Sequence, residues 1–336
     1  MSDRVALVTG AAGEMGHALV PALLERGIGV VAADLRPLDP ALARSCVECA
    51  DASILDAHAM QRLFERHRFT HVFHLAAVLS TSAERDPERA HRVNVEGTFG
   101  LFRLCLEQGR ATGEASRVMF PSSIAVYGLP DARTKAAHGP VRESEWLEPA
   151  GMYGCNKLYC EHVGNYLARR RDGTGRPPLD FRSIRFPGLV SAETLPTGGT
   201  TDYAPEMIHA AARGVPYACF VRADSRLPFM TMPDAIAALL RLGEADARSL
   251  SRRVYNIRGF SVSAGEIRDE VLRHFPQARI TFEPAAVRQA IVDSWPADLD
   301  DSAARADWGF EPRHGFEDAV ARYLVPALRA QYAGSS

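Results

Sequence analysis

Val5-Ala6-Leu7-Val8-Thr9 runs directly into Gly10-Ala11-Ala12-Gly13-Glu14-Met15-Gly16, and an apolar segment from Ala18 to Glu25 follows. The first five residues have the short apolar character of a buried parallel strand. The next seven spell G-x-x-G-x-x-G, and the last segment reads as a helix. Glycines at those places let the backbone turn tightly and approach a pyrophosphate, whose charge a helix N-terminus favours. A glycine-rich turn by itself is more often only a turn. Here a second strand, Gly29 to Ala33, ends on Asp34, near the roughly 20-residue offset at which a carboxylate meets ribose hydroxyls. That carboxylate would repel a 2′-phosphate, which favours NAD over NADP, while Arg36 nearby pulls the other way. Gly10, Gly13, Glu14, Met15, Gly16, Asp34 and Arg36 are therefore candidate cofactor contacts.

The alternation continues. Val47 to Ala50 reads as a third strand, with Asp51 and Ala52 after it as candidate adenine contacts. Ala57 to Arg66 reads as a helix. His71 to Ala77 is the fourth strand and ends His74-Leu75-Ala76-Ala77, where small residues let a flat ligand lie against the backbone. Asn94 to Gln108 is a long helix. Arg117 to Pro121 is the fifth strand, leading into Ser122-Ser123-Ile124-Ala125-Val126-Tyr127-Gly128. Strand–helix alternation of this kind predicts an α/β fold with a doubly wound parallel (Rossmann) sheet and its ligand at the strands' carboxyl ends.

Tyr153-Gly154-Cys155-Asn156-Lys157 opens a further helix, running through Arg169. A spacing of four puts the phenol and the ammonium on one helix face. A phenol with a pKa of about 10 is a poor base at neutral pH. A neighbouring cation favours its ionised form, so the pair suits proton abstraction from an alcohol. The spacing alone is weak, since many surface helices contain it by chance.

Bulk properties exclude several classes. The chain has 336 residues, 46% of them apolar, and a formal charge of −2. That is enough to bury a large core, with no basic field for nucleic acid. Ser2-Asp3-Arg4 gives no charged-then-apolar leader, and no apolar run approaches the ~18 residues of a membrane span. Six scattered cysteines fit a reduced, cytoplasmic protein. Cys46-Val47-Glu48-Cys49 is a C-x-x-C, but on a strand its ends would face opposite ways, which argues against metal or redox use. His71 and His74 are poor joint ligands for the same reason, and no metal is expected. Gly173 to Pro178 reads as a surface loop.

The glycine motif at 10–16, H-L-A-A at 74–77, P-S-S-I-A-V-Y-G at 121–128 and Y-x-x-x-K at 153–157 occur together in an order that resembles the extended short-chain dehydrogenase/reductase family. The resemblance implies a catalytic set of Ser123, Tyr153 and Lys157. Tyr153 would be the general acid/base. Lys157 would bind the nicotinamide ribose and lower the phenol's pKa. Ser123, with Ser122 as the neighbouring alternative, would bind the reacting oxygen. It also implies that Leu75, Ala76, Ala77, Asn94, Tyr153, Lys157 and Leu189 contact NAD.

The second half adds Gly198-Gly199-Thr200-Thr201-Asp202-Tyr203, Arg226-Leu227-Pro228-Phe229-Met230 and Asp293-Ser294-Trp295-Pro296. This set is similar to the short-chain type of L-threonine 3-dehydrogenase. The implied reaction is oxidation of the threonine C3 hydroxyl to 2-amino-3-oxobutanoate, with hydride passing to NAD. A nucleotide-sugar epimerase or dehydratase on the same scaffold, or a dehydrogenase of another small 3-hydroxy acid, is the alternative. Two departures, Thr81 and Thr197, are expected to border the substrate pocket, and a basic insertion spans Arg169 to Pro178. Ser80, Ser123, Thr200, Thr201, Asp202 and Trp295 are the candidate substrate contacts. Asp202 has two readings, as partner of the substrate ammonium or as cap of a helix over Pro205 to Arg213. Trp295 either shields the pocket or packs between lobes, and Arg185 reads as a strand end.

The expected organisation is a nucleotide lobe of residues 1–186 and 229–258, a substrate lobe of 187–228 and 259–315, and a terminal helix over 316–334. The helices from Asn94 and Tyr153 carry Phe99, Phe102, Leu158 and Tyr166, apolar beyond one stripe. Together with the resemblance they imply a homodimer built on these helices.

Overall fold

The computed structural model describes residues 4–171, 173, 175, 177–195 and 198–333. Thr197 lies outside the described residues, as do positions 172, 174 and 176 of the 169–178 insertion, Ser2 and Asp3 of the leader reading, and position 334 at the end of the expected terminal helix. The strands are β1 (Val5–Thr9), β2 (Gly29–Asp34), β3 (Glu48–Asp51), β4 (His71–His74), β5 (Ser116–Ser123), β6 (Leu179–Phe186), β7 (Gly188–Val190), β8 (Tyr217–Cys219), β9 (Arg226–Thr231), β10 (Val254–Asn256), β11 (Phe260–Ser263) and β12 (Ile280–Phe282).

Seven of them form one parallel sheet in the order β3-β2-β1-β4-β5-β6-β10. The chain winds outward from β1 to β3, then returns to β4 and winds the other way. A crevice opens where the direction reverses, at the carboxyl ends of β1 and β4. The central strands are apolar on both faces because helices cover both: Ala6, Leu7 and Val8 have no exposed surface. One face packs on the helices Glu14–Glu25 and Met232–Glu244, the other on Thr98–Thr112 and Met152–Arg169.

A three-stranded sheet, β11-β9-β7, and a two-stranded pair, β12-β8, lie beyond the large sheet. Their core takes in Tyr203, Phe229, Val292 and Trp295, and also Leu324 and Leu328 from the terminal helical segment. The boundary expected between 228 and 229 falls inside β9, which pairs with β7 and β11 and belongs to the small sheet.

Several element limits differ from the sequence reading. The third strand starts at Glu48, so Cys46 lies in the bend before it and not on the strand. The Cys46 and Cys49 thiols consequently reach one another, and burial and that contact push Cys46 up to about 12. The fourth strand stops at His74, where Leu75-Ala76-Ala77 peels away towards the crevice. Asn94 does not begin a helix; it lies within a π-helical turn, Arg92–Gly97, ahead of Thr98–Thr112. Such an inserted residue is common beside functional sites. Its carbonyl accepts from Thr98 Oγ1 at 2.6 Å and the Cys160 thiol at 3.1 Å.

Candidate active site

The glycine turn carries few side chains at the mouth of the crevice. Gly10 has φ +69°, and a Cβ there would come within 2.6 Å of the Ala76 backbone nitrogen. At Gly16 a Cβ would lie 2.3 Å from the Ala11 carbonyl, so only glycine lets the helix Glu14–Glu25 sit against the turn. Asp34 at the end of β2 accepts from the Ala12 amide at 2.9 Å and the Arg36 amide at 3.0 Å. The Arg36 side chain folds back to donate to the Ala12 carbonyl at 2.8 Å. Asp51 pairs in register with Asp34 on the neighbouring strand, and the Ala52 amide donates to the Asp34 carbonyl at 3.1 Å. A bare turn, an adjoining helix N-terminus and a carboxylate at the next strand end fit a dinucleotide.

Along the crevice, Tyr153, Lys157 and Ser123 come together with the glycine turn around one cleft of about 370 Å³. The Lys157 ammonium is buried, donates to the Pro121 carbonyl at 2.7 Å and lies 4.4 Å from the centre of the Phe120 ring. Burial draws it down to about 8, against the opposing pull of Cys160 and Glu161. It stands 5.6 Å from the Tyr153 ring centre. Burial raises the Tyr153 phenol above its ordinary value. The lowering of that phenol expected from the lysine is not what the structure gives: desolvation sets the direction of the shift.

The structure separates the two serines. Ser122 Oγ donates to Glu161 at 2.5 Å and is buried. Ser123 Oγ accepts from the Ala125 amide at 3.1 Å, which leaves its hydroxyl hydrogen for another partner in the cleft. Glu161 also takes a two-pronged contact from Arg185, at 2.9 and 2.6 Å. Arg185 in turn donates to Tyr127 Oη at 2.8 Å, and Tyr127 to Asn256 at 2.6 Å. Arg185, the penultimate residue of β6, therefore braces the floor beneath the cleft.

The walls come from separate parts of the chain. Leu75, Ala77 and Ser80 line one side, and Leu189, Thr200, Thr201, Asp202 and Trp295 the other. Ser80 Oγ and Thr200 Oγ1 lie 3.0 Å apart, and the Thr200 amide donates to Ser80 Oγ at 3.2 Å. Asp202 departs from its cap reading. Its carboxylate makes no cap hydrogen bond to the helix Tyr203–Ala212. It turns back and accepts from the Gly198 and Gly199 amides at 2.8 and 2.6 Å. Glu14 reaches the same cleft, and burial, aided by Asp202, raises it to about 7.

Some expected residues stand off the cleft. Thr81 falls in the helix Ser80–Arg85 with its side chain outside the lining, so it does not border the pocket as expected. Asp34, Asp51, Ala52, Ala76 and Asn94 are also outside the lining. Asn94 clasps the loop after β4: its side chain accepts from the Val78 amide at 2.7 Å and donates to the Val78 carbonyl at 3.0 Å.

Other residues at the site had no motif to mark them. Glu84 accepts from the Met152 amide at 2.6 Å and so caps the helix that presents Tyr153. His74, fully buried, sits between Thr9 and Thr98 at 2.7 and 2.8 Å. Because Thr98 donates to the Asn94 carbonyl, it accepts from His74 Nε2, and burial keeps the ring neutral, drawing it down to about 3. Among the described residues no group of three or more His, Cys, Asp or Glu could hold a metal ion, and no helix is long and apolar enough to cross a membrane.

Residues 6–257 match the NAD dependent epimerase/dehydratase family. The chain belongs to that family, within the extended short-chain dehydrogenase/reductases. It is an NAD-dependent oxidoreductase. It is 35% identical to a mitochondrial L-threonine 3-dehydrogenase of Bos taurus, over 93% of this chain and 79% of that protein. The structure of a GalE-like L-threonine dehydrogenase from Cupriavidus necator, in its holo form, superposes with a TM-score of 0.83 at 36% identity, covering 97% of this chain and 99% of that one. A monomeric L-threonine 3-dehydrogenase from a metagenome superposes with a TM-score of 0.86 at 33% identity, covering 97% and 99%.

Proposed function

We propose that this enzyme oxidises the C3 hydroxyl of L-threonine to 2-amino-3-oxobutanoate. The observation that carries the reading is that Thr200, Thr201, Asp202 and Trp295 face the same cleft as Ser123 and Tyr153. The similarity to L-threonine 3-dehydrogenases over most of the chain supports it.

Gly10, Gly13, Gly16 and the N-terminus of the helix Glu14–Glu25 would hold the NAD pyrophosphate, with Asp34 at the adenosine ribose. When bound, NAD supplies the two-electron acceptor. Ser123 donates its free hydroxyl hydrogen to the reacting oxygen. Tyr153 takes the proton from that oxygen, in its ionised form. Lys157, anchored on the Pro121 carbonyl, keeps a positive charge beside the phenol and favours that form. The substrate carboxylate and ammonium need partners in a partly dry cleft, since an unpaired buried charge costs several kcal/mol. The Ser80, Thr200 and Thr201 hydroxyls and the Asp202 oxygen supply them. Burial and the Ser80–Thr200 contact between the two walls exclude water and fix C3.

The working form in this reading is a cytoplasmic homodimer. Phe99, Tyr159 and Tyr166 are 48, 50 and 60% exposed on the two neighbouring helices, which supports an interface there. Phe102 does not take part, because it is fully buried in the core, and Leu158 packs partly inward.

The test is NAD reduction measured across L-threonine, related 3-hydroxy amino acids, small sugar acids and UDP-glucose. L-threonine is expected to be the best substrate. No NADH from millimolar L-threonine, with good turnover of another member of the panel, would overturn the substrate.

A further inference from the structure

Lys135 is a buried lysine, 8% exposed, that the chemistry above does not use. It lies on the short helix Ala132–Ala137, a few residues after the segment that carries Ser123. Its ammonium donates to the Val292 carbonyl at 2.8 Å. Val292 is in the last turn of the helix Ala286–Ser294, and the Trp295 amide donates to that same carbonyl at 3.3 Å. The cation thus sits where the helix dipole is negative and its carbonyls lack intrahelical partners.

The next two residues are held as well. Asp293 receives both terminal nitrogens of Arg222 at 3.0 and 2.9 Å. The Ser294 carbonyl accepts from the Leu129 amide at 2.7 Å. Three consecutive residues are therefore each tied to a different neighbour, and the chain then delivers Trp295, 5% exposed, to the wall of the cleft.

We propose that Lys135 is a positioning residue that, with the Arg222–Asp293 fork, fixes Trp295 as the wall of the substrate pocket. Burying an ammonium is costly unless it is well partnered. One carbonyl bond at the end of a helix is a meagre return for packing alone, where an apolar side chain would serve. What the charge adds is a defined end to the helix, and hence a defined direction for Trp295. The groups around the ammonium are Asp293, Arg222 and Asp224; burial, joined by the like charge of Arg222, outweighs the two carboxylates and draws it down to about 8. Rising pH through that value removes the charge and loosens the tie.

The proposal rests on the threonine reading for its kinetic arm and is independent of it for its fluorescence arm. In the first, Lys135→Met is expected to raise the KM for L-threonine about tenfold, with kcat within about threefold and the KM for NAD unchanged. Lys135→Arg, which stays charged at all working pH values, restores most of the loss and removes any rise in KM above pH 8. In the second, Trp146 and Trp308 are replaced by Phe, so that Trp295 is the one fluorophore. Acrylamide quenching is then expected to increase on Lys135→Met and to return towards normal on Lys135→Arg. If L-threonine is not oxidised by the unmodified enzyme, the substrate reading fails and quenching still decides the role of Lys135. Unchanged KM and unchanged quenching would overturn the proposal, as would equal weakening of threonine and NAD. Should Lys135→Met not fold, Asp293→Asn loosens the second tie and must give the same threonine-selective change; an unaltered KM there refutes the clamp.

Discussion

Replacing Glu161 by Gln tests the buried network beneath the site. Glu161 and Arg185 are 2 and 3% exposed, and they meet through both carboxylate oxygens at 2.9 and 2.6 Å. Glu161 also holds Ser122 at 2.5 Å. A glutamine keeps the shape, but one of its ends is a donor turned towards guanidinium N–H groups. Arg185 would be left charged and incompletely paired, which costs about 3–5 kcal/mol. At about 2.1 cal/mol/K per residue the unfolding entropy of this chain is about 0.7 kcal/mol/K, so the melting temperature should fall by about 4–7 °C. Replacing Arg185 by Met as well removes the stranded charge, and the double variant should be less destabilised than the two single losses summed. Activity should shift too. Glu161 favours the charged Lys157, so Glu161→Gln should move the loss of that charge, and the alkaline limb of kcat, to lower pH. Differential scanning fluorimetry and urea unfolding read the stability, and a pH profile reads the second effect. A melting shift under about 1 °C would show that the pair is not the brace described.

Tyr153→Phe keeps the ring and removes the proposed proton acceptor, so turnover should fall by at least about 10²-fold with NAD affinity nearly unchanged, as read by steady-state kinetics and calorimetry. Asp34 should favour NAD over NADP; equal catalytic efficiency with the two would show Arg36 overriding it. Glu14 is held near 7 in the folded protein, above its unfolded value. The stability it contributes is therefore full below about 4.5 and lost as pH rises through 7. Urea unfolding of Glu14→Gln should show a gain over the unmodified enzyme at pH 8 that vanishes near pH 4.5. Light scattering at micromolar concentration should give a dimer, and Phe99→Glu with Tyr166→Glu should give a monomer.

The parallel sheet was legible because its strands are short apolar runs that meet glycine or small residues at their carboxyl ends. Both features follow from burial on two faces and from backbone approach to a ligand. The candidate site was legible where a local motif supplies the side chain, as at Ser123, Tyr153 and Lys157. It was not legible where long-range pairing decides. Asp202 precedes a helix and so reads as a cap; the turn of Gly198 and Gly199 offers it two amides at closer range. Cys46 reads as a strand residue until the bend before Glu48 moves it off the strand. Glu84, 68 residues from Met152 in sequence, caps that helix without any signature a local pattern could carry.

The Tyr153–Lys157 pair shows most directly what spacing does and does not convey. Four residues on a helix bring phenol and ammonium to one face, as expected, but spacing says nothing of solvent. Burial acts on the two groups in opposite senses, raising the phenol and lowering the ammonium to about 8. Both shifts oppose charge, so the free enzyme holds its proton on Tyr153 near neutral pH. If Tyr153 is the base, as proposed, one that is protonated at rest works better as pH rises, until Lys157 loses the charge that favours the phenolate. Alcohol oxidation should therefore climb with pH and turn over near the lysine's own value. The reverse reduction, which needs the proton on Tyr153, should be fastest on the acid side. In the proposed reaction the same desolvation that makes the tyrosine a reluctant base makes it a ready acid, and Lys157, held in place by the Pro121 carbonyl and kept charged in part by Glu161, would set the balance between the two directions.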